Sequence, residues 1–573
     1  MIMRSEHPKP QFKRDTWENL NGKWQFQIDH GCSGAEQGWQ APEKEFDMEI
    51  NVPFCPESKL SGIGYTDFMN SVWYKRTVTL TEEQCAGRVV LHFGAVDYLA
   101  TVYIGGKKVG SHKGGYVSFS FDITDFVKPG ENILTVHAAD DTRSPLIPCG
   151  KQCHEYHSMG CHYTRTTGIW QTVWLEFTPK TYIRSAKYHT DIHTGTLTVA
   201  AKLQGAGTFR AEASYEGKPM GAAEVTCSGG DVTLSIPLAE KHLWEVGNGR
   251  LYDLSLSYGE DKVQSYFGLR SLRLEGYKFL LNDKSVFQRL VLDQGFYPEG
   301  IYTAPSDASL EGDIKLSLAM GFNGARLHEK VFEERFLYHC DKLGYIVWGE
   351  YPNWGLDISR PESIYAFLPE WLEELERDFN HPAIIGWCPF NETWDTDGRR
   401  QIDDVLRTVY LTTKAVDPTR PCIDTSGNYH VETDIFDVHD YDQNPETFKA
   451  HYDELMTNGT LYDQLLKREY HGIPRQIYTG GPTFVSEYGG IRWTNDTSGW
   501  GYGDAPKTME EFKTRFEGLT NALLDNHLMF GLCYTQLTDV EQEQNGVYTY
   551  QRESKFDADW MKSVLSRKAA IED

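Results

Sequence analysis

A chain of 573 residues with 56 basic and 82 acidic side chains carries a formal net charge of −26, which argues against electrostatic binding to nucleic acid or to an anionic membrane. Apolar residues make up 40% and aromatic residues 13%, spread along the whole length, which excludes a disordered chain. The length predicts three or four domains, and no stretch approaches the ~20 apolar residues that cross a bilayer. The segment from Met1 to Pro8 has no apolar run of the signal-peptide kind, and 11 cysteines form no regular disulfide framework. Both features predict a cytoplasmic protein with reduced thiols.

Residues 1–180 read as a β-sandwich. Val89-Val90-Leu91-His92-Phe93 and Ala100-Thr101-Val102-Tyr103-Ile104 are β-branched and aromatic runs, and Gly105-Gly106 is a two-residue hairpin turn. Residues 117–123 alternate with period two, and Lys128-Pro129-Gly130 turns into the strand at 133–136. Cys149, Cys153, His154, His157, Cys161 and His162 mix thiols and imidazoles in one short stretch. They lack the second paired knuckle of a zinc finger, so a polar loop at an active-site mouth is expected, with a metal-dependent hydrolase as the rival reading. Residues 181–271 hold further alternating strands, such as 196–199 and 232–236, over the length of one immunoglobulin-like sandwich. They have no Cys…Trp…Cys framework, and no chemistry is assigned to them.

From 272 to 573 strands alternate with helices, which predicts a parallel sheet. Strands are expected at 285–292, 324–328, 345–350, 384–390, 422–424, 435–439, 483–486 and 528–532. Leu368, Trp371, Leu372 and Leu375 recur at helical spacing. Thr508-Met509-Glu510-Glu511 is a capping box opening a helix with Phe512, Phe516, Leu519 and Leu523 on one face. Eight such units make a (β/α)8 TIM barrel, whose functional residues lie at the C-terminal ends of strands.

Two of those ends carry glutamates. The apolar run Ala383-Ile384-Ile385-Gly386-Trp387 stops at Asn391-Glu392, and Phe484-Val485-Ser486-Glu487-Tyr488-Gly489 repeats the pattern. A carboxyl at a buried strand end is desolvated and its pKa is expected to rise, which suits a general acid near neutral pH. A lone strand-end glutamate is more often a rim residue or a salt-bridge partner. The pair, the flanking aromatics and Asn391 favour the two carboxylates of glycoside hydrolysis.

Asn-Glu after a Trp-containing strand, followed by Ser486-Glu487-Tyr488-Gly489, resembles glycoside hydrolase family 2, which includes β-galactosidases, β-glucuronidases and β-mannosidases. The run Tyr163-Thr164-Arg165-Thr166-Thr167-Gly168-Ile169-Trp170 is similar to the signature of that family's jelly-roll sugar-binding domain. The resemblance implies a jelly roll for residues 1–180 and retention through a covalent glycosyl-enzyme. It implies Glu392 as acid/base, Glu487 as nucleophile, Arg326 beside the nucleophile and Asn391 on the sugar 2-hydroxyl. Asp293 and His328 occupy strand ends where family members contact sugar hydroxyls. Glu350, His439, Tyr441 and Trp394 fall at or just past predicted strand ends and join the substrate-binding candidates. Many members have a Trp where this chain has Cys533 or Tyr534. Two carboxylates suffice for the chemistry, so no cofactor and no metal is expected.

The sequence therefore predicts a retaining exo-β-glycosidase with a carbohydrate substrate, and leaves self-association into a homo-oligomer open. β-Glucuronidases of the family carry Asn-x-Lys after the eighth strand. Here Glu543-Gln544-Asn545-Gly546-Val547 has no such lysine, which disfavours glucuronides; a galacto-configured neutral sugar is the preferred substrate, by its frequency in the family. A β-galacturonide or other β-uronide is the alternative, with Lys330 or Arg492, just beyond strands two and seven, as the missing cation. The rival of another class is a non-catalytic carbohydrate-binding protein on a hydrolase scaffold.

Overall fold

The computed structural model describes residues 3–396, 399–463, 469–470, 473–494, 496 and 498–572. Three buried apolar clusters organise them: one in each of two β-sandwiches and one in a barrel.

The first sandwich packs a six-stranded antiparallel sheet on a four-stranded one. Leu99–Ile104 and Lys107–Lys113 form the hairpin about Gly105-Gly106, both with positive φ, as a primed two-residue turn needs. The inward residues of alternating strands, among them Phe26, Tyr74, Leu91, Val102 and Val136, make its jelly-roll core. The second sandwich sets Tyr182–Asp191, Thr196–Gln204 and Gly230–Pro237 against the four strands Gly207–Tyr215, Lys218–Cys227, Tyr252–Tyr258 and Asp261–Phe267. Seven strands in two antiparallel sheets are the immunoglobulin-like arrangement.

The barrel strands are β1 (Gln288–Asp293), β2 (Gly324–Leu327), β3 (Ile346–Glu350), β4 (Ile384–Cys388), β5 (Thr425–Ser426), β6 (Phe436–Asp440), β7 (Thr483–Gly489) and β8 (Met529–Thr535). Parallel pairing runs β4-β3-β2-β1-β8-β7-β6. A short continuation of β4, Phe390–Asn391, pairs with β5. β5 meets β6 through side chains, Asp437 accepting from Ser426 Oγ (2.6 Å) and from Gly427 N (3.3 Å). Two expected boundaries shift. Residue 285 belongs to a hairpin outside the barrel, and at 422–424 there is one bridge, Trp387 to Cys422, before β5 proper begins at Thr425.

Below the site the barrel is filled by Trp348, whose Nε1 donates to Gln288 Oε1 (2.9 Å) and whose ring stacks on Phe484. Gly386 makes room for it, since a Cβ there would lie 2.2 Å from the Trp348 ring. The helix Met509–Leu524 starts where the capping box places it, with Thr508 accepting from Glu511 N, and buries Phe512, Phe516, Leu519 and Leu523. Among the described residues no helix is long and apolar enough to cross a membrane.

The stretch rich in Cys and His leaves the first sandwich and lies over the barrel mouth. Cys149 N donates to Trp354 O (2.7 Å), and Tyr163 OH to Glu543 Oε2 (2.6 Å). Its sulfurs turn to carbonyls, Cys149 Sγ to Ile147 O (3.3 Å) and Cys153 Sγ to His157 O (3.2 Å). Among the described residues its thiols and imidazoles do not converge as three donors about one point.

Candidate active site

Arg326 anchors the site. It is the inward residue of β2 and is 1% exposed. Its guanidinium reaches three strand ends. Nε donates to Glu350 Oε1 (2.6 Å), Nη1 to Ser486 O (3.0 Å) and Glu487 Oε1 (3.1 Å), and Nη2 to Asn391 Oδ1 (3.0 Å). A planar fork with five donors holds two carboxylates and an amide in fixed relation, which a lysine could not do. With its Oδ1 taken by Arg326, Asn391 has a buried Nδ2 that meets no acceptor among the described residues.

Glu487 ends the inward row of β7. Tyr441 OH donates to its Oε2 (2.5 Å) and also contacts Thr535 Oγ1 (3.0 Å). Tyr441 stacks face to face on Tyr502, with ring centroids 3.5 Å apart. Cys533 and Tyr534, in the stretch where the sequence lacked the expected Trp, are both buried.

Glu392 follows Asn391 directly, and in an extended strand consecutive side chains point to opposite faces. The backbone solves this with a left-handed conformation at Glu392, φ 44°, pinned by its N–H donating to Ser426 O (3.0 Å). A non-glycine residue held there stores on the order of 1–2 kcal/mol of strain. Asn391 is clamped by Asn353, whose Oδ1 accepts from Asn391 N (2.7 Å) and whose Nδ2 donates to Asn391 O (3.2 Å); Trp354 Nε1 donates to the same carbonyl (3.1 Å).

His439 joins the two glutamates. Its Nδ1 lies 2.8 Å from Glu392 Oε1 and 3.4 Å from Glu487 Oε2, and its Nε2 3.0 Å from Ser426 Oγ. One carboxylate oxygen from each glutamate and a ring nitrogen of His439 all fall within 4.8 Å of one another. Burial would push the His439 imidazole down, but Glu487 and Glu392 more than reverse this and raise it above its ordinary value. Glu392 departs from the expected rise. Burial pushes its carboxyl up, but the bond to His439, the charge of His439, and Lys151 and Arg326 beyond it hold it below the ordinary value. Desolvation alone was legible in the sequence; the imidazole that overrides it comes from another strand.

The other predicted residues divide. His328 and Glu350 are inside, with His328 Nδ1 3.1 Å from Glu350 Oε2. Trp394 lines the cavity of about 890 Å³ that opens from Glu392, together with Trp354, His162, Phe68 and Tyr156. Asp293 is not in the site. It shares the outward phase of Arg289, which bonds Leu565 O behind the barrel, and it accepts from Gly295 N (2.9 Å). Burial and the nearby Asp313 push it up to about 6. Lys330 is also elsewhere, buried under Tyr302 and Phe332 with its ammonium on Gly295 O (2.5 Å) and Tyr302 O (2.9 Å). Arg492 donates to Asp496 O (2.5 Å) and contacts neither glutamate. Sequence reasoning missed Asn353, Trp354, Tyr502, Ser426 and Lys151. Asn353 and Trp354 follow the end of β3 and could have been found by extending the strand-end rule a few residues.

A TIM barrel whose fourth and seventh strands each deliver a glutamate to one polar mouth defines a glycoside hydrolase. The chain belongs to glycosyl hydrolases family 2: that family's sugar binding domain matches residues 17–179 and its TIM barrel domain residues 274–489. Similar proteins include the β-glucuronidase of Felis catus, 26% identical over 486 residues and covering 74% of this chain and 71% of that one. A putative β-glucuronidase of Formosa agariphila is 25% identical over 419 residues, covering 69% and 48%. Among solved structures, a β-glucuronidase from Ruminococcus gnavus superposes with a TM-score of 0.79 at 20% identity, covering 98% of this chain and 99% of that one. One from Lactobacillus rhamnosus gives 0.80 at 19% over all of both chains. These two are likenesses of fold.

Proposed function

We propose that this hydrolase is a retaining exo-β-glycosidase acting on β-linked uronides. The observation that carries the retaining reading is the approach of Glu392 and Glu487, with carboxylate oxygens within 4.8 Å. A pair set ~5–5.5 Å apart leaves no room for water behind the sugar, whereas inversion needs ~6.5–9.5 Å. Glu487, fixed by Arg326 and Tyr441, attacks C1. Glu392, which shares a proton with His439, gives that proton to the leaving oxygen as the C1–O bond breaks. A water then enters on the same face. Glu392 takes its proton, oxygen bonds to C1, and the ester to Glu487 is released. The unpartnered amide of Asn391 suits a bond to the sugar 2-hydroxyl that strengthens as charge develops at C1.

For the sugar, the relatives named above are β-glucuronidases, which supports the uronide over the neutral galactoside expected from the sequence. The preference for a galacto sugar rested on no particular residue. The absent lysine after Asn545 excludes one way of reading a uronate, not the uronate itself.

The test is kcat/KM for p-nitrophenyl β-glucuronide, β-galacturonide, β-glucoside and β-galactoside. Each uronide should exceed its neutral counterpart by at least about tenfold, a difference of ~1.4 kcal/mol. A neutral galactoside in the lead would overturn the uronide reading. Glu487→Gln should lose roughly 10³-fold or more in kcat, about 4 kcal/mol. Glu392→Ala should lose less on this activated leaving group, and azide should restore turnover with retained configuration. Near-wild-type turnover by Glu487→Gln would remove it from the nucleophile's role.

A further inference from the structure

A uronate at the mouth of this barrel needs a cation; the Lys330 ammonium is engaged by Gly295 O and Tyr302 O, and Arg492 is turned to Asp496 O. We propose that Lys151, carried by the first sandwich, is the residue that reads the C6 carboxylate, an assignment that rests on the uronide reading above.

Lys151 is held from both sides. Its carbonyl accepts from Tyr163 N (2.7 Å), Gly150 N donates to Pro352 O (3.2 Å) and Trp354 O (3.1 Å), and Gln152 Nε2 donates to Asp97 Oδ2 (2.7 Å). Its side chain lies on Trp354, with Nζ 3.7 Å from the ring centroid. The indole N–H of that ring bonds the carbonyl of Asn391, the residue before Glu392, and the ammonium and the Glu392 carboxyl act on each other through space. The residue is 5% exposed, and its Nζ forms no hydrogen bond or ion pair with a described residue. A buried ammonium without a direct anionic partner is costly, and fixed proteins rarely keep one without use.

The surrounding carboxyls are engaged elsewhere. Glu392 is paired with His439, Glu329 accepts from Trp354 N (3.1 Å), and Glu543 accepts from Tyr163 OH and from Asn545 Nδ2 (3.1 Å). They still act on Lys151 through space. Burial works against its charge, and Cys161 first, then Glu392, Glu543 and Glu329, keep its proton on. Burial also pushes the Glu543 and Glu329 carboxyls up. Glu543 and Asn545 stand in the loop after β8, where the sequence lacks its lysine, and Glu543 acts on Lys151 through space from that loop.

The experiment compares Lys151→Met and Lys151→Arg with the wild type on matched uronide and neutral nitrophenyl glycosides. Methionine keeps the packing on Trp354 and removes the charge. The ratio of uronide to neutral kcat/KM should fall roughly 10- to 100-fold in Lys151→Met, the loss of one charge-assisted hydrogen bond, and largely survive in Lys151→Arg. Equal loss on both substrates, or an unchanged ratio, overturns the assignment to Lys151 and leaves the uronide reading standing. A wild type that ignores uronides overturns both. A second test needs no variant: a crystal of the wild type with D-glucaro-1,5-lactone, a compound bound in the Ruminococcus gnavus structure, should place the carboxylate within hydrogen-bond reach of Lys151 Nζ. A carboxylate turned to another residue removes Lys151.

Discussion

At the scale of single residues, the proton that leaves with the aglycone belongs to a pair. His439 titrates above its ordinary value and Glu392 below its own, directions that favour the proton of the pair on the imidazole. The acid form of Glu392 is the minor microstate that reacts. The catalytic proton is then lost when pH rises through the raised His439 value, which puts the alkaline limb of kcat/KM above about 6.5, the free imidazole value. His439→Gln removes the cation that holds Glu392 down. The proton then sits on a carboxyl, whose pKa burial lifts but which Lys151 and Arg326 still oppose. The limb should therefore move to lower pH, with kcat/KM reduced about 10²-fold at pH 7, within the usual range for one acid–base group. A pH profile of His439→Gln with the limb unmoved would show that Glu392 works without its partner.

At the scale of elements, the joint between β5 and β6 sets this pair. Gly427 adopts φ 77°, and a Cβ there would lie 2.3 Å from the His439 ring. Gly427→Ala should cost about 1–2 kcal/mol for the left-handed backbone and push the ring away from Glu392, shifting the alkaline limb in the same direction as His439→Gln. In a His439→Ala background the clash is gone, so the same glycine change should cost little further activity; equal losses in both backgrounds would place its effect elsewhere. The strands themselves were legible because apolar runs and period two write them into the sequence. Asn391, Glu392 and Glu487 could be found because they interrupt such runs. What failed was phase. Asp293 and Lys330 lie at or just past strand ends, but one turns outward beside Arg289 and the other folds under Tyr302. A strand end tells where a side chain starts, not which way it points. Lys151 was beyond reach for another reason, since its stretch showed only a mixture of Cys and His, and only the docking of the sandwich on the barrel brings it to Trp354.

At the scale of the whole molecule, the site is completed by a domain that must be held in place, and separate contacts do this. Against the barrel, the first sandwich is fixed by Tyr116 N and Val117 N donating to Glu370 Oε1 (2.6 and 3.1 Å) and by the loop over the mouth, while Arg4 of the N-terminal segment forks onto Glu333. Against the second sandwich it is fixed by Arg14, which reaches Asp261 twice (2.8 and 2.9 Å), Glu176 (3.1 Å) and Ile183 O (2.6 Å), all buried. Burial raises the Glu176 carboxyl, but His92 and Arg14 outweigh it and hold it near 2. A carboxyl depressed in the folded state stabilises above its unfolded value of about 4.5, and the stabilisation is lost as pH falls towards 2. Arg14→Ala leaves two buried carboxylates short of a partner, a cost of about 3–5 kcal/mol at neutral pH. Because three domains do not unfold as one, the change should appear in calorimetry as a drop of several degrees in the transition of the sandwiches. Acid unfolding should begin at higher pH. The contacts that place Lys151 over the barrel do not pass through Arg14, so kcat/KM at 25 °C should stay within about twofold of wild type. A thermal profile that does not move would show that the second sandwich is held by other contacts. A fall in uronide turnover matching the fall in stability would show that the pose of the first sandwich on the barrel depends on its hold on the second.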